Sequence, residues 1–522
     1  MTSWRTRIAG PALAAALSIT VGEPAVARRG DPQMAFQGQS IDDMVADFMA
    51  EHQIPGLALA IVQAPYIPRV TGYGLADIDR KLLVSSNTLF DLGQMIEAYT
   101  GVAVLQLVEQ GRLGLGDAAA RHLKDLPAAW SGITVRHLLM HASGIPDYRA
   151  AAGADAAPAQ AIAAVAGQPL AFAAGADVAA SATDYLLLGL IVEAASGQGY
   201  RDFVQRNQIE RLGLKHTVFA QDLAQVKREA VETTGGRHAG FLTDPALINP
   251  TEPATGYAGA DGRDAVAAKA PAAAFLPGAL LASAQDVSLW DIGLAGAILV
   301  KDPAHRALLY GGARLNDGRA VPVMGGWRFP GHKGLMYVVG STAGQSAFLS
   351  RFTDASELVC VTLLVNREGI DLSQLARRIA GAYDSRLGPP PGAPGMRARQ
   401  SPYGVAETIS RLEAVLKQGG VGIMARIDHA AGARGAGLDL PATEQLIFGN
   451  PAAGTQLMLS RRSVALDLPL RALAWEENGA VWLGYTDPVE IAHRSGVADR
   501  DPQALTMRHR LDAATLKAVT PY

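Results

Sequence analysis

Two kinds of hydrophobic pattern follow each other along most of the chain. Four short runs rich in apolar and β-branched residues are typical of strands. They lie at 56–64, 69–77, 346–352 and 357–366. Between the two pairs, stretches such as 134–143 and 183–197 have apolar side chains at helical spacing. Strands near both ends and helices between them predict one sheet built from both ends of the segment, with a helical insertion.

The stretch 90–113 combines a strand pattern with a helix pattern. A short apolar run ends at Gly93, and apolar residues then recur at helical spacing until Gly111, where a helix would end. The first turn of this predicted helix carries Gln94 and Glu97, a neutral amide and an acid. A strand followed by a turn and a helix is a common place for catalytic groups, but neither residue is a nucleophile.

Changes in composition predict where the domains end. Residues 388–401 include three successive prolines and several glycines, which favour an extended linker between domains at 36–387 and 402–522. The alanine-rich segment 149–182 is interpreted as helices and connectors of a helical subdomain. After the linker, an amphipathic helix and four short strands predict a small α+β domain.

Composition and charge narrow the classes of function. The chain has 522 residues, of which 49% are hydrophobic, and its formal net charge is −3. This nearly neutral balance does not favour binding to nucleic acid or to an anionic membrane. The single cysteine, Cys360, lies in a strand pattern and is predicted to be a buried core residue, so no disulfide forms within one chain. We predict no cofactor, no metal site and no nucleic-acid partner.

The N-terminus has the three parts of an export signal. A basic start is followed by an apolar stretch of small residues, and Ala25–Ala27 fits a cleavage site. These features predict a signal peptide at 1–27, cut after Ala27, and a periplasmic or secreted mature protein. The apolar stretch is short for a membrane span and no other long apolar run exists, so no stable span is expected.

Several strings occur in a fixed order between residues 40 and 385. They are IPGLALAIV, GYGLAD, TLFDLGQM, GVAVLQLVEQGRLGLGD, TVRHLLMHASGIPDY, DYLLLGLIVEAASG, LGLKHTVF and PGALLASAQDVSLW. Together they resemble the serine beta-lactamase and penicillin-binding-protein-like hydrolase family, and HLLMHASGIPDY resembles the branch with class C enzymes and related esterases. The resemblance implies an α+β fold, in which an antiparallel sheet is flanked by helices. A helical subdomain lies beside the sheet, and the site lies between the two.

The resemblance also implies which residues carry the chemistry. The family uses a serine nucleophile at the start of a helix and a lysine three residues later on the same face. It adds a Tyr-x-Asn element and a Lys- or His-Thr-Gly strand. The positions of this chain that match the three elements are Gln94 and Glu97; Ala180, Ser181 and Ala182; and Ser341, Thr342 and Ala343. The reactive groups of all three elements are substituted, which predicts a domain that has lost its catalysis.

Other polar residues have both a structural and a functional interpretation. Ser181 has no Lys or His placed by the sequence to activate it, and Ser143 is expected to serve as a turn or cap residue. His332 and Lys333 are expected to be solvated, although a basic pair could hold an acidic ligand. Glu97 either pairs with Gln94 and fills the former site, or binds a ligand that presents a cation or hydrogen-bond donors.

The C-terminal strings resemble the domain-of-unknown-function 302 family. That resemblance implies a compact α+β sandwich able to dimerise, so a homodimer through this domain is a candidate assembly; it implies no established reaction. His429 follows a strand and is a candidate metal ligand or acid–base group, although a structural role is more common. The predicted binding residues are Gln94, Glu97, Ser181, Ser341, His429 and Glu476.

The leading functional prediction is an exported, non-catalytic protein that acts in binding or regulation at the cell envelope. Its former active-site cleft would hold an unknown small molecule or a cell-envelope component. One alternative is a working serine hydrolase of the beta-lactamase, esterase or peptidase type with a non-standard site. Another places the function in the C-terminal domain, with the first domain as a scaffold.

Overall fold

A computed structural model describes most of the chain after residue 33. It covers residues 34–520 except 64–65, 227–235, 239–240, 244–250, 260, 269–270, 312, 322, 329–334, 355–356, 391, 393–394, 478 and 498–500. The predicted signal peptide at 1–27 lies outside the described residues, as do His332 and Lys333.

An eight-stranded antiparallel sheet is the centre of the first domain. Its strands are β1 (Gly56–Gln63), β2 (Tyr66–Asp77), β3 (Leu82–Leu83), β4 (Val323–Met324), β5 (Trp327–Arg328), β6 (Leu335–Thr342), β7 (Gln345–Asp354) and β8 (Glu357–Val365). Their order in space is β4-β5-β6-β7-β8-β1-β2-β3. Strands from both ends of the segment meet where β8 pairs with β1, which confirms the sheet predicted from the sequence.

The central strands are buried because helices cover both faces of the sheet. Seven of the eight residues of β1 are buried, which explains why its sequence is apolar throughout instead of alternating. Cys360 in β8 is buried as predicted, and burial raises the pKa of its thiol. One apolar core lies between the sheet and the helical subdomain, and a second lies on the opposite face.

Six helices of the first domain matter for the site and its support. They are α1 (Ile41–His52), α2 (Ile96–Glu109), α3 (Val135–Leu139), α4 (Ala182–Ser196), α5 (Ala284–Ala295) and α6 (Ser373–Tyr383). Shorter helices are Ala119–His122, Arg149–Ala152, Pro158–Val165, Tyr200–Val204, Glu210–Leu212 and Pro303–Tyr310. Two of these lie in the alanine-rich segment, where Val165 is buried in the core.

Small ladders and single turns complete the first domain. The three-stranded ladder consists of Phe90–Asp91, Leu280–Ala282 and Thr217–Phe219. Two-stranded ladders pair Ala35–Phe36 with Gln39–Ser40, Gly236–His238 with Phe241–Thr243, Gly256–Ala258 with Asp264–Val266, and Ala313–Arg314 with Ala320–Val321. Turns of 3₁₀-helix occupy Gly93–Met95, Ala128–Trp130, Ala220–Gln225 and Ser385–Leu387, and a π-helical turn occupies Gln205–Ile209.

The second domain has its own five-stranded antiparallel sheet and its own apolar core. In chain order its strands are β9 (Met396–Ser401), β10 (Gly422–Asp428), β11 (Thr443–Gly449), β12 (Leu470–Glu477) and β13 (Ala480–Thr486), and their spatial order is β9-β13-β12-β11-β10. Its helices are α7 (Val405–Gln418), α8 (His429–Gly435), α9 (Pro451–Ser460), α10 (Pro488–Arg494) and α11 (Pro502–Val519), and a 3₁₀ turn lies at Arg462–Asp467. Strand β9 lies within 388–401, so the last six residues of the predicted linker belong to this sheet.

Polar contacts join the two domains. Arg399 on β9 pairs with Asp371, which lies two residues before α6, and Arg397 donates to Glu51 of α1 at 2.9 Å. Arg508 of α11 donates to the same Glu51 oxygen at 3.0 Å. Over the described ranges, none of the helices is long and apolar enough to cross a membrane.

Candidate functional site

The turn before α2 lies directly against strand β6. Gly93 has a φ of +51°, and a Cβ added to it would lie 2.6 Å from the backbone nitrogen of Ser341. Only glycine fits this approach without moving one of the two elements. The close approach brings the next side chain, Gln94, to the strand, where its Oε1 accepts a hydrogen bond from the Ser341 N–H at 2.6 Å.

Glu97 lies one helical turn after Gln94 and has a different partner. Its Oε2 is 3.7 Å from Nε2 of His141, and the other ring nitrogen of His141 lies 3.0 Å from Oδ2 of Asp184. The second oxygen of Asp184 accepts a hydrogen bond from the Ser143 hydroxyl. These four residues, here called the polar chain, run from the cleft into the interior. The structure therefore gives Gln94 and Glu97 separate partners, whereas one interpretation of the sequence paired them with each other.

The buried end of the polar chain has unusual backbone and charge properties. His141 is 2% exposed and has a φ of +52°, a left-handed conformation that is uncommon outside glycine. Asp184 is completely buried at the start of α4. Burial raises the pKa of the Asp184 carboxyl, and hydrogen bonds from His141 and Ser143 oppose this rise. The imidazole is thus held between two carboxylates, one at the cleft and one in the core.

Ser181 lies beside the polar chain, and its hydroxyl has no hydrogen-bond partner among the described residues. It occupies the N-cap position of α4, yet its side chain caps no backbone N–H. The side-chain oxygen is buried and forms no hydrogen bond with any residue that the structure describes. Its backbone nitrogen lies 3.5 Å from Nδ1 of His141. On either side, Ala180 and Ala182 present only methyl groups.

The third predicted element lies at the tip of a hairpin. Strand β6 ends at Thr342, and Ala343 begins the turn into β7. Ser341 is exposed and its backbone N–H is already bonded to Gln94. No basic side chain stands at this position of the strand.

A cavity of about 440 Å³ connects these elements. Predicted residues that line it are Gln94, Glu97, Ala180, Ser181, Ala182 and Ser341. Arg149 and Arg328 also line it, and the same volume extends into the crevice beside α6, where it meets Arg377. Thr342 and Ala343 are adjacent in sequence but are not among the lining residues.

The two candidates from the second domain do not join this site. His429 is the first residue of α8 and Glu476 lies near the end of β12, and both side chains are exposed. Within the part of the chain that the structure describes, no group of three or more His, Cys, Asp or Glu side chains is arranged to hold a metal ion.

Sequence reasoning missed His141 and Asp184, which organise the acidic side of the cleft. His141 was part of a string that marked the family, and its position in the chain gives no sign of its left-handed backbone. Asp184 carried a signal, because an acid at the start of the apolar helix α4 must be paired or protonated once it is buried.

The antiparallel sheet, the helical subdomain and the cleft between them define a protein of the serine beta-lactamase and penicillin-binding-protein class. The sequence model described as Beta-lactamase matches residues 41–384, and the one described as Domain of unknown function DUF302 matches residues 397–517. The first match covers more than half of the chain, so the chain belongs to the Beta-lactamase family.

Individual relatives share only part of their length with this chain. Fluoride-specific ion channel FluC 1 of Brucella suis is 40% identical over 167 residues, which are 30% of this chain and 63% of that protein. Protein flp of Staphylococcus aureus is 30% identical over 201 residues, which are 37% of this chain and 40% of that protein. The chain therefore spans less than two thirds of the length of these curated relatives.

Two solved structures share the fold. The octameric penicillin-binding protein homologue from Pyrococcus abyssi has a TM-score of 0.54 and 19% identity, covering 85% of this chain and 89% of the homologue. FmtA from Staphylococcus aureus has a TM-score of 0.51 and 18% identity, covering 67% of this chain and 90% of FmtA. At these identities the likeness concerns the fold alone.

Proposed function

We propose that the first domain is a non-catalytic member of the family that binds a ligand in the former active-site cleft. The observation that carries this proposal is the hydrogen bond between Gln94 Oε1 and the Ser341 N–H. The side chain at the position of the family nucleophile is an amide, and that amide bridges the turn before α2 and strand β6. The Ser341 N–H is therefore engaged within the protein and is not free to bond a substrate carbonyl.

The chemistry of acyl transfer supports the same proposal. The family mechanism needs a nucleophile and a neighbouring group that accepts its proton. A glutamine amide cannot form the acyl intermediate, and Glu97 faces His141 where the family has a lysine. In a serine hydrolase, removing the nucleophile or its base costs roughly 10⁶ in rate.

The groups that remain suit recognition of a donor-rich ligand. Glu97 is 15% exposed at the cleft and presents a carboxylate, and the Ser181 hydroxyl lies free of protein partners among the described residues. A ligand with an ammonium or several N–H and O–H groups would pair with the Glu97 carboxylate, whereas the Ser181 oxygen is buried. An unknown small molecule or a cell-envelope component remains the proposed occupant.

Covalent labelling tests the absence of catalysis. The full chain is incubated with a fluorescent penicillin and, separately, with a fluorophosphonate, and its intact mass is measured. We expect no stoichiometric adduct. An acyl or phosphonyl group on a serine, located by peptide mapping, would overturn the proposal.

One observation favours a second candidate, a hydrolase built on Ser181. Its hydroxyl has no hydrogen-bond partner among the described residues, and its backbone nitrogen lies 3.5 Å from Nδ1 of His141. The His141–Asp184 contact of 3.0 Å resembles the base and orienting acid of a catalytic triad. From the sequence alone, no histidine was expected near Ser181, because His141 is 40 residues away in the chain. Loss of fluorophosphonate labelling in Ser181→Ala, but not in the matched cleft variant Ser341→Ala, would establish this candidate.

Restoring the first family element should not restore activity. Gln94→Ser combined with Glu97→Lys returns the nucleophile and the base, but Ala180, Ala182 and Ser341 still lack the functional groups of the other two elements. We expect no hydrolysis of a chromogenic cephalosporin above the unmodified chain. Turnover by this double variant would show that the first element alone accounts for the loss.

We also propose that the protein is exported to the periplasm or beyond. The support is the order of basic, apolar and small-residue segments before Ala27. Fractionation of cells that express the full chain, followed by N-terminal sequencing, should give a mature protein that begins at Arg28. An uncleaved chain in the cytoplasm would contradict the export proposal without affecting the cleft.

A further inference from the structure

The second domain contains a cavity that is lined by neither of its two predicted binding residues, His429 and Glu476. It has a volume of about 760 Å³ and lies between helices α7, α9 and α11 and the adjoining ends of strands β10 and β11. This volume is within the usual range for sites that hold small organic ligands. We call it the C-terminal cavity.

Apolar side chains make up most of the wall of the C-terminal cavity. Members of the domain core, including Leu416, Phe448 and Leu511, form its floor. All three methionines of residues 402–522 line it, and Met424 is 56% exposed there. Methionine is flexible and polarisable, and it suits a wall that must fit a flexible apolar chain.

The polar groups at the rim carry charge of one sign. Arg510 and Lys517 both line the cavity and are exposed, and they lie seven residues apart on α11, which is about 10 Å along one helix face. Among the described residues that line the cavity, there is no aspartate or glutamate. The rim is therefore complementary to an anion.

Neither cation has an anionic partner among the residues that the structure describes. Lys517 contacts only the neutral Gln418, whose Oε1 lies 3.4 Å from Nζ, and Arg510 forms no hydrogen bond or ion pair with another described residue. This contrasts with Arg508 on the neighbouring face of α11, which pairs with Glu51 and Asp487. The two rim cations are left for a partner from outside the domain.

We propose that the C-terminal cavity binds a single-chain anionic amphiphile, namely a long-chain fatty acid. Its hydrocarbon chain would lie along the methionine-lined wall, and its carboxylate would meet Arg510 and Lys517. A guanidinium and an ammonium bind carboxylate by charge-assisted hydrogen bonds, and the buried chain contributes in proportion to its apolar area. This site is separate from the cleft of the first domain and does not depend on whether that cleft is catalytic.

Fluorescence titration of the full chain with cis-parinarate tests the proposal. We expect saturation at one probe per chain, displacement by oleate, and binding of oleyl alcohol weaker by roughly tenfold or more because it lacks the charge. Absence of parinarate binding would overturn the proposal, as would equal competition by oleate and oleyl alcohol. Capture of the protein by phosphatidylglycerol vesicles without displacement of the probe by oleate would also overturn it.

Two variants locate the site. The double variant Arg510→Glu/Lys517→Glu should weaken oleate binding roughly tenfold or more. Its control is Arg434→Glu/Arg462→Glu, which reverses two exposed cations of the same domain outside the cavity and should leave oleate binding unchanged. Gly454→Phe should block the cavity, because a Cβ at Gly454 meets only Leu468 at 3.6 Å. Equal oleate affinity in the charge variant and in its control would contradict the assignment, whether or not Gly454→Phe folds.

Discussion

At the scale of single residues, protein partners hold most of the polar groups that the sequence placed at the cleft of the first domain. Gln94 bonds the strand, Glu97 faces His141, and Asp184 is held by His141 and Ser143. A carboxylate as deeply buried as that of Asp184 is stable only while its partners remain. The Ser181 hydroxyl has no hydrogen-bond partner among the described residues, which is why it is the residue to test for residual chemistry.

Removing the imidazole should expose how strongly Asp184 depends on it. His141→Asn keeps a residue that tolerates the left-handed backbone, yet it leaves the Asp184 carboxylate without its ring partner. We expect a loss of roughly 3 kcal/mol in the free energy of unfolding. Urea unfolding followed by tryptophan fluorescence measures it.

The second single variant of a double-mutant cycle is Asp184→Asn, which removes the carboxylate that contacts His141. The double variant should lose at least about 1 kcal/mol less than the sum of the two single losses, because the residues are in contact. Strict additivity would mean that the His141–Asp184 contact does not stabilise the fold.

The sequence predicted only some of the residues that form the cleft site. Gln94, Glu97 and Ser181 were found because the family strings fix their positions, and the structure brings them to one cavity. His141 and Asp184 lie 43 residues apart, and their contact depends on how α3 and α4 are arranged. No local pattern encodes that arrangement.

At the scale of elements, the site depends on how closely α2 approaches β6. A Cβ on Gly340 would lie 1.8 Å from the Leu92 carbonyl oxygen, and one on Gly93 would lie 2.6 Å from Ser341 N. Two glycines, one on each element, therefore set the distance across which Gln94 reaches the strand. The helical period predicted α2, and the family resemblance predicted a strand at 341–343, but neither predicted the contact between the two elements.

Gly93→Ala should separate these two elements. The substitution adds a methyl group against the backbone of β6 and places a non-glycine residue at φ +51°, so we expect a loss of roughly 2–3 kcal/mol in stability. Gly116→Ala is the control, because a Cβ there meets nothing within 4 Å and the backbone is not left-handed. Thermal unfolding of both variants checks the difference; equal melting temperatures would show that the turn can relax.

At the scale of the whole molecule, partly buried ion pairs join the two domains. Arg399 belongs to a strand that the sequence had assigned to the linker, and it reaches Asp371 at the start of α6. The prolines and glycines before residue 396 predicted an extended spacer. They carried no information that the next residues, β9, would pair with β13, the last strand of the second domain in the sequence. The homodimer through the second domain stays a prediction.

The Asp371–Arg399 pair should make stability depend on pH. Burial alone would raise the pKa of the Asp371 carboxyl, but the charge of Arg399 and hydrogen bonds from Ser373 outweigh it, so the folded-state pKa lies below the ordinary value. A carboxyl whose pKa is lowered by folding stabilises the protein above its unfolded pKa, near 4, and this contribution is lost as the pH falls through the folded-state value.

Asp371→Asn should therefore lower the melting temperature at pH 7 and have a progressively smaller effect below about pH 4, where the unmodified carboxyl also becomes protonated. Asp317→Asn is the matched control, because Asp317 pairs with Arg319 on the exposed surface, where solvent screens the interaction. Its effect should be small at both pH values. If the difference between Asp371→Asn and the unmodified chain were the same at pH 7 and pH 3, the ionised carboxyl of Asp371 would not be what holds β9 to the first domain.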